Sequence, residues 1–157
     1  MGCLETDKTL LKIARMNDIL DQLVHEHEAN IKELNAISGT NTAPILRVPE
    51  IISKYTNLHT KVLLLVVEAD SRLDELYKDA YFQIKTSSHD LSILNLTTHQ
   101  EINKFALMDP SYMELTKNIQ FIETRAKQLE KNTKIISDYS FHFKTRLDYQ
   151  KFFEGEV

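Results

Sequence analysis

Glycine and proline are scarce in this sequence, with three residues of each among 157, and tryptophan is absent. So few turn-forming residues argue against an all-β fold, which needs a turn between successive short strands. Gly2, Gly39 and Gly155 are too far apart to build a phosphate-cradling loop, so the sequence excludes an ATPase of the P-loop kind. These absences leave a helical fold as the expectation.

Cysteine is also nearly absent. Because Cys3 is the single cysteine of the sequence, an intramolecular disulfide framework is excluded, and a reducing compartment such as the cytoplasm is expected. His25 and His27 lie two positions apart, on different faces of a helix, which is poor geometry for a shared metal ion. The other histidines and the carboxylates are scattered. We therefore expect no metal, no cofactor and no catalytic residues, and we predict that the protein is not an enzyme.

The sequence also lacks any apolar run of the ~18 residues that a membrane span needs. Its first six residues fit the loose pattern for N-myristoylation at Gly2, with Cys3 as a second acylation site. Glu5 and Asp7 supply no basic support for an anionic membrane surface. A membrane-tethered adaptor is therefore kept only as an alternative, and the main expectation is a protein without a membrane partner.

Apolar residues recur at alternating steps of three and four along three long stretches, which is the heptad pattern of helices that pack on one another. We predict a coiled-coil-like helix in residues 1–38, a linker at 39–48 and a helical domain at 49–157. Within that domain the pattern predicts a long helix at 49–85, a short one at 98–108 and a long one at 110–153. The fold class is all-α, with a protomer resembling a helical hairpin.

Local signals mark two of these helix starts. Asp109 and Pro110 supply an N-cap carboxylate followed by a proline in the first turn. Thr98 and Glu101 have the three-residue spacing of a capping box.

The last helix carries the longest seam and would extend about 65 Å at ~1.5 Å per residue. A compact domain of this chain length has a radius of gyration near ~15 Å, so one straight helix would overhang it. We therefore predict an elongated protein that assembles with copies of itself through this seam. The predicted assembly residues are Leu115, Ile119, Ile122, Leu129, Ile136, Phe143, Leu147 and Phe152.

Charge is unevenly distributed along the chain. The net charge is −4, yet the segment 117–151 holds eight basic and four acidic residues, and aromatics interleave with its later cations. A smaller cluster of the same kind, Lys78, Tyr81, Phe82 and Lys85, closes the second long helix. Cations with exposed aromatic rings are how non-specific binding of single-stranded nucleic acid is built. The same residues also fit a solvated face with core aromatics, and this alternative stays open.

Four segments stand out in the later part of the sequence: SKYTNLHTK at 53–61, KDAYF at 78–82, EINKFALMD at 101–109, and FHFK with FFEG at 141–144 and 152–155. In this order and spacing, they resemble the UvsY family of recombination mediators from tailed phages related to the T-even coliphages. The resemblance spans about residues 45–155 and leaves the first helix without a counterpart.

The resemblance implies an all-α protein that forms a ring-like homo-oligomer and binds single-stranded DNA without sequence preference. It also implies a role in loading a RecA-like recombinase onto DNA coated by single-strand-binding protein, in the host cytoplasm. By position, it marks Lys78, Tyr81, Phe82 and Lys144 as nucleic-acid-binding residues. The charge pattern alone adds three further predicted nucleic-acid-binding residues, Lys85, Arg146 and Lys151. The alternative is a coiled-coil structural or adaptor protein without a nucleic-acid role.

Overall fold

The computed structural model describes residues 2–37, 42–86 and 98–155, with side chains from Leu4 onward. Most of this part of the chain is helical. The helices are α1 (Gly2–Asn35), α2 (Val48–Thr86), α3 (His99–Ala106) and α4 (Pro110–Glu154), and a short 3-10 helix, Ala43–Arg47, leads directly into α2. The described ranges contain no strand, and the all-α fold class is confirmed.

Some predicted features lie outside the described residues. They include Gly39 in the predicted linker, the break between the second long helix and the short one, and the side chain of Cys3, the second predicted acylation site. The predicted boundaries of the helical domain likewise stay predictions.

Both local helix-start signals are confirmed by hydrogen bonds. Asp109 Oδ2 accepts from the backbone N–H of Tyr112 at 3.1 Å, with Pro110 as the first residue of α4. Thr98 Oγ1 accepts from the N–H of Glu101 at 3.4 Å, and the Glu101 carboxylate accepts from the N–H of Thr98 at 3.3 Å. Each cap satisfies backbone donors that the first turn of a helix leaves unpaired.

Contacts along the chain divide it into two compact units. Unit 1 contains Met1–Asn17 and Leu63–Thr124, and unit 2 contains Asp18–Val62 and Arg125–Val157. The helices α1, α2 and α4 each contribute a segment to both units, so neither unit is a continuous piece of sequence.

The core of unit 1 combines apolar side chains from all four helices with one buried arginine. Ile13, Ala69, Ile102 and Leu115 are among its buried residues. Arg72 is also buried: its Nε donates to Thr6 Oγ1 at 3.0 Å, and its guanidinium pairs with Glu75 at 2.5 Å and with Glu5 at 3.6 Å. A buried cation is tolerated only when its donors are satisfied, and here they tie the start of α1 to α2.

The core of unit 2 is built around Tyr55, whose ring is fully buried. Its hydroxyl lies 2.9 Å from Nδ1 of His27 and accepts from the amide of Asn30 at 3.3 Å. Burial raises the pKa of the Tyr55 hydroxyl, so it remains protonated. When the neutral imidazole carries its proton on Nε2, Nδ1 accepts a hydrogen bond from the Tyr55 hydroxyl, and this contact joins α1 to α2 inside the unit.

Stability should therefore fall at mildly acidic pH because His27 must take up a proton. Burial lowers the pKa of His27 below its ordinary value of 6.5, and the nearby Glu28 opposes this only in part. The folded state thus binds fewer protons than the unfolded chain. The stabilisation is complete above pH 6.5 and is lost as the pH falls from there through the folded-state pKa.

We predict that His27→Gln reduces the loss of stability seen between about pH 7.5 and about pH 5.5 in urea unfolding. His25→Gln is the matched control, because His25 is an exposed neighbour on the same helix and its variant should keep the parent's pH dependence. Equal pH dependence in the His27 variant and the parent would contradict this assignment.

Candidate functional site

The predicted nucleic-acid-binding residues fall into two groups, one in each unit. The α2 group, in unit 1, consists of Lys78, Tyr81, Phe82 and Lys85, and the α4 group, in unit 2, consists of Lys144, Arg146 and Lys151. All five cations are exposed. Within the described part of the chain none of them has a carboxylate partner, so their charge is available to an anionic ligand.

The α2 group places two cations around one exposed aromatic ring. Lys78, Phe82 and Lys85 are spaced by four and three residues, so they lie on the same face of α2. The Phe82 side chain is 65% exposed, which is far more than a core phenylalanine. This face therefore offers both a charge for a phosphate and a ring for a base, although lysines in a last helical turn also suit the helix dipole.

Tyr81 has a different environment from its neighbour Phe82, since it is half-buried against α3. Its hydroxyl lies 2.7 Å from Nδ1 of His99, and the two ring centroids are 5.4 Å apart. One turn earlier, the Tyr77 hydroxyl donates to Asn103 Oδ1 at 2.5 Å. Tyr81 thus holds α3 beside the α2 group, and its direct contact with a ligand stays a prediction.

The α4 group lies where α4 has lost its packing partners. From Lys144 to the end of the described chain, every side chain is exposed. Phe152 and Phe153 are 69% and 80% exposed, and Phe153 contacts both Phe152 and Tyr149 at centroid distances of 5.9 Å and 6.3 Å. These three aromatics are therefore not part of a core in the single chain. Whether they contact a nucleic acid stays a prediction.

One cation of the basic segment serves the fold instead. Arg125 donates to Asp21 Oδ1 at 2.6 Å, and its side chain is only 16% exposed. The charge available in segment 117–151 is correspondingly smaller than a count of its basic residues suggests.

The predicted assembly residues also divide into two sets. Leu115, Ile119, Ile122, Leu129 and Ile136 are buried within the single chain. Each such burial contributes roughly 1.5–3 kcal/mol to folding. Phe143 is half-buried, whereas Leu147 and Phe152 are exposed. The assembly prediction therefore depends on the end of α4.

A groove in unit 2 was not anticipated from the sequence. It is open, measures about 620 Å³ and lies between the start of α2 and the later part of α4. Its lining is rich in hydroxyl side chains, among them Ser53, Thr56, Ser137 and Ser140. Serine and threonine spaced by three residues are a signal for such a polar face, but the sequence does not show that two of these faces meet.

Within the described ranges, no group of histidine, cysteine and carboxylate side chains is arranged to hold a metal ion. A search of the same ranges finds no helix that is long and apolar enough to cross a membrane.

Comparison with known families supplies the first evidence from outside the chain. The family model described as "Recombination, repair and ssDNA binding protein UvsY" matches residues 36–156. The match begins directly after α1 and covers most of the chain. No curated protein and no solved structure gives a significant match.

The exposure of Phe82 predicts that Phe82→Ala changes the free energy of unfolding by less than about 0.5 kcal/mol. Leu76→Ala is the matched control, since Leu76 is buried on the same helix, and it should cost about 2–5 kcal/mol. Urea unfolding of both variants measures the difference. If the two losses are similar, Phe82 is a core residue and is not available to a ligand.

Proposed function

The chain belongs to the UvsY family of recombination, repair and single-stranded-DNA-binding proteins, as its sequence resemblance predicted, and we propose that it acts as a recombination mediator. In this role it binds single-stranded DNA without sequence preference. It helps to load a RecA-like recombinase onto DNA coated by single-strand-binding protein. The observation that carries the proposal is the α2 group, where Lys78 and Lys85, which have no carboxylate partner among the described residues, flank the exposed Phe82.

The chemistry of this face favours a single strand over a duplex. Lysines neutralise phosphates and release counterions, which contributes affinity without reading the sequence. An exposed aromatic ring stacks on an unpaired base, and every base has such a face. The flexible lysine side chains follow the backbone of a strand without fixing its register.

Self-assembly would compensate for the small number of cations in each α2 group and α4 group. Tyr149, Phe152 and Phe153 form an exposed aromatic cluster at the end of α4, and a second copy is a suitable cover for it. A ring-like homo-oligomer would bring several α2 groups and α4 groups to one strand. Linked weak contacts gain avidity without any new chemistry.

We propose that mediation proceeds by binding alone. The chain's sparse glycines offer no phosphate-cradling loop, so nucleotide hydrolysis in the reaction belongs to the recombinase partner. Partners of the protein are then single-stranded DNA, the recombinase, the single-strand-binding protein and further copies of itself.

We predict that the protein binds a single-stranded oligonucleotide more tightly than the matching duplex, and that affinity falls steeply with salt. Lys78→Ala should weaken binding and flatten the logarithmic salt dependence by about 0.7, the contribution of one phosphate contact on a single strand. Fluorescence anisotropy at several salt concentrations measures both quantities.

Lys32→Ala is the charge-matched control, because Lys32 is exposed on α1 outside the family match. An unchanged slope for Lys78→Ala would remove Lys78 from the site. No binding of either oligonucleotide would favour the structural or adaptor alternative.

For assembly, we predict that the double variant Phe152→Ser, Phe153→Ser lowers the mass of the oligomer in sedimentation measurements at micromolar concentration. Folding should be unaffected, because both rings are largely exposed in the single chain. Phe82→Ser removes a similarly exposed ring and should leave the mass unchanged. An unaltered oligomer in the double variant would move the assembly surface away from the end of α4.

A further inference from the structure

We propose that the groove of unit 2 is a channel for the sugar-phosphate backbone of single-stranded DNA. The inference rests on the proposed function and assigns it a site of which the sequence analysis marked only Lys144. The groove comprises the open cavity at the start of α2 and a second cavity of about 430 Å³ beside it. Both cavities are lined by Ile52, Thr56 and Ser137, so they form one continuous groove.

Each wall of the groove is one face of a helix. On α2 the lining residues Pro49, Ser53 and Thr56 are spaced by four and three residues. On α4 the positions Ser137, Phe141 and Lys144 repeat the same spacing. Such spacing keeps side chains in a row along a helix, so the two rows run along the groove rather than across it.

The polar side chains that line the groove are available for hydrogen bonds to a ligand. Among the described residues, no hydrogen-bond partner is found for the side chains of Ser53, Thr56, Asn57, Ser137 and Ser140. By contrast, Thr60 and Thr133 donate to carbonyl oxygens one turn earlier in their own helices. Hydroxyl and amide groups that remain available are typical donors to phosphate oxygens, and such contacts position a backbone without reading its sequence.

Two cations lie along the same groove. Lys144 lines the first cavity and Lys134 the second, and both are exposed. They are ten residues apart on α4, a separation of about 15 Å along the axis. Neither has a carboxylate partner in the described chain, so both charges can neutralise phosphates of one extended strand.

An aromatic ring stands beside the first of these cations. Phe141 lines the groove and is 67% exposed, although it contacts the His142 ring at a centroid distance of 5.9 Å. A base that turns outward from the backbone can stack on such a ring.

The position of Glu130 indicates where the strand would leave the groove. Among the described residues, no carboxylate lines the cavity that holds Lys144, whereas Glu130 lines the second cavity together with His59. A carboxylate repels phosphate, so the strand would run from the Lys144 end to about Lys134 and then leave. This distribution favours a polyanion over an acidic or neutral peptide as the occupant.

Filling the groove tests the proposal. Ser137→Trp replaces an exposed, unbonded side chain with one that occupies the shared part of the groove. We expect the full chain carrying this change to bind an oligo-thymidine about tenfold more weakly, with an unchanged oligomer mass. Ser71→Trp, at an exposed position in unit 1, is the matched control and should bind as the parent does.

A crosslinking measurement reads the site directly and does not depend on the tryptophan variant. A photoreactive p-benzoylphenylalanine at position 141 should crosslink to the bound oligo-thymidine. The same group at exposed position 121, elsewhere on α4, should not.

The outcomes separate this proposal from the proposed function. Undiminished affinity in Ser137→Trp, or equal crosslinking at positions 141 and 121, would overturn the groove and leave the proposed function standing. A parent protein that binds no oligonucleotide would overturn both. A Ser137→Trp variant with altered oligomer mass and parental affinity per subunit would make the groove an interface between copies instead.

Discussion

The burial of α4 within its own chain, which is strong up to about Ile136 and ends after Phe143, determines which of its side chains are available to a partner. The cores of the two units bury Leu115, Ile122 and Ile136 of this helix. Phe143 beyond them is still half-buried, and from Lys144 the same helix continues to Glu154 with every side chain exposed. One element thus stabilises the fold with its first part and presents cations and aromatic rings with its second.

Charged residues also fall into two classes, those paired between helices and those exposed without a partner in the described chain. Exposed ion pairs join α1 to α2 in each unit, such as Lys12 with Glu68 in unit 1 and Lys54 with Glu26 in unit 2. Exposed pairs of this kind contribute little to stability, but they match complementary edges of neighbouring helices. The cations of the α2 and α4 groups have no such partner in the described chain. An anionic ligand that reaches them displaces water and counterions instead of breaking an internal bond.

Local features of this fold could be predicted from the sequence because their causes are local. The all-α class, the cap at Asp109 and the capping box at Thr98 each depend on residues within one turn. Exposure could not be predicted in the same way. Tyr81 and Phe82 are adjacent aromatics, yet Tyr81 is half-buried against His99, which is 18 positions later, whereas Phe82 is 65% exposed. Likewise, Ser53 and Ser137 form one groove only because α2 and α4 pack together in unit 2.

The family match begins at residue 36, yet the buried side chains Ile13, Leu20 and Leu34 all come from α1. His27, which completes the hydrogen bonds of Tyr55, is on α1 as well. The hydrophobic core of the matched region therefore depends on side chains from α1, which lies outside the match. A relative that diverged in this helix, or lost it, would have to cover the same apolar surface with another segment or another subunit. Substitutions on the two sides of residue 36 are consequently expected to evolve together.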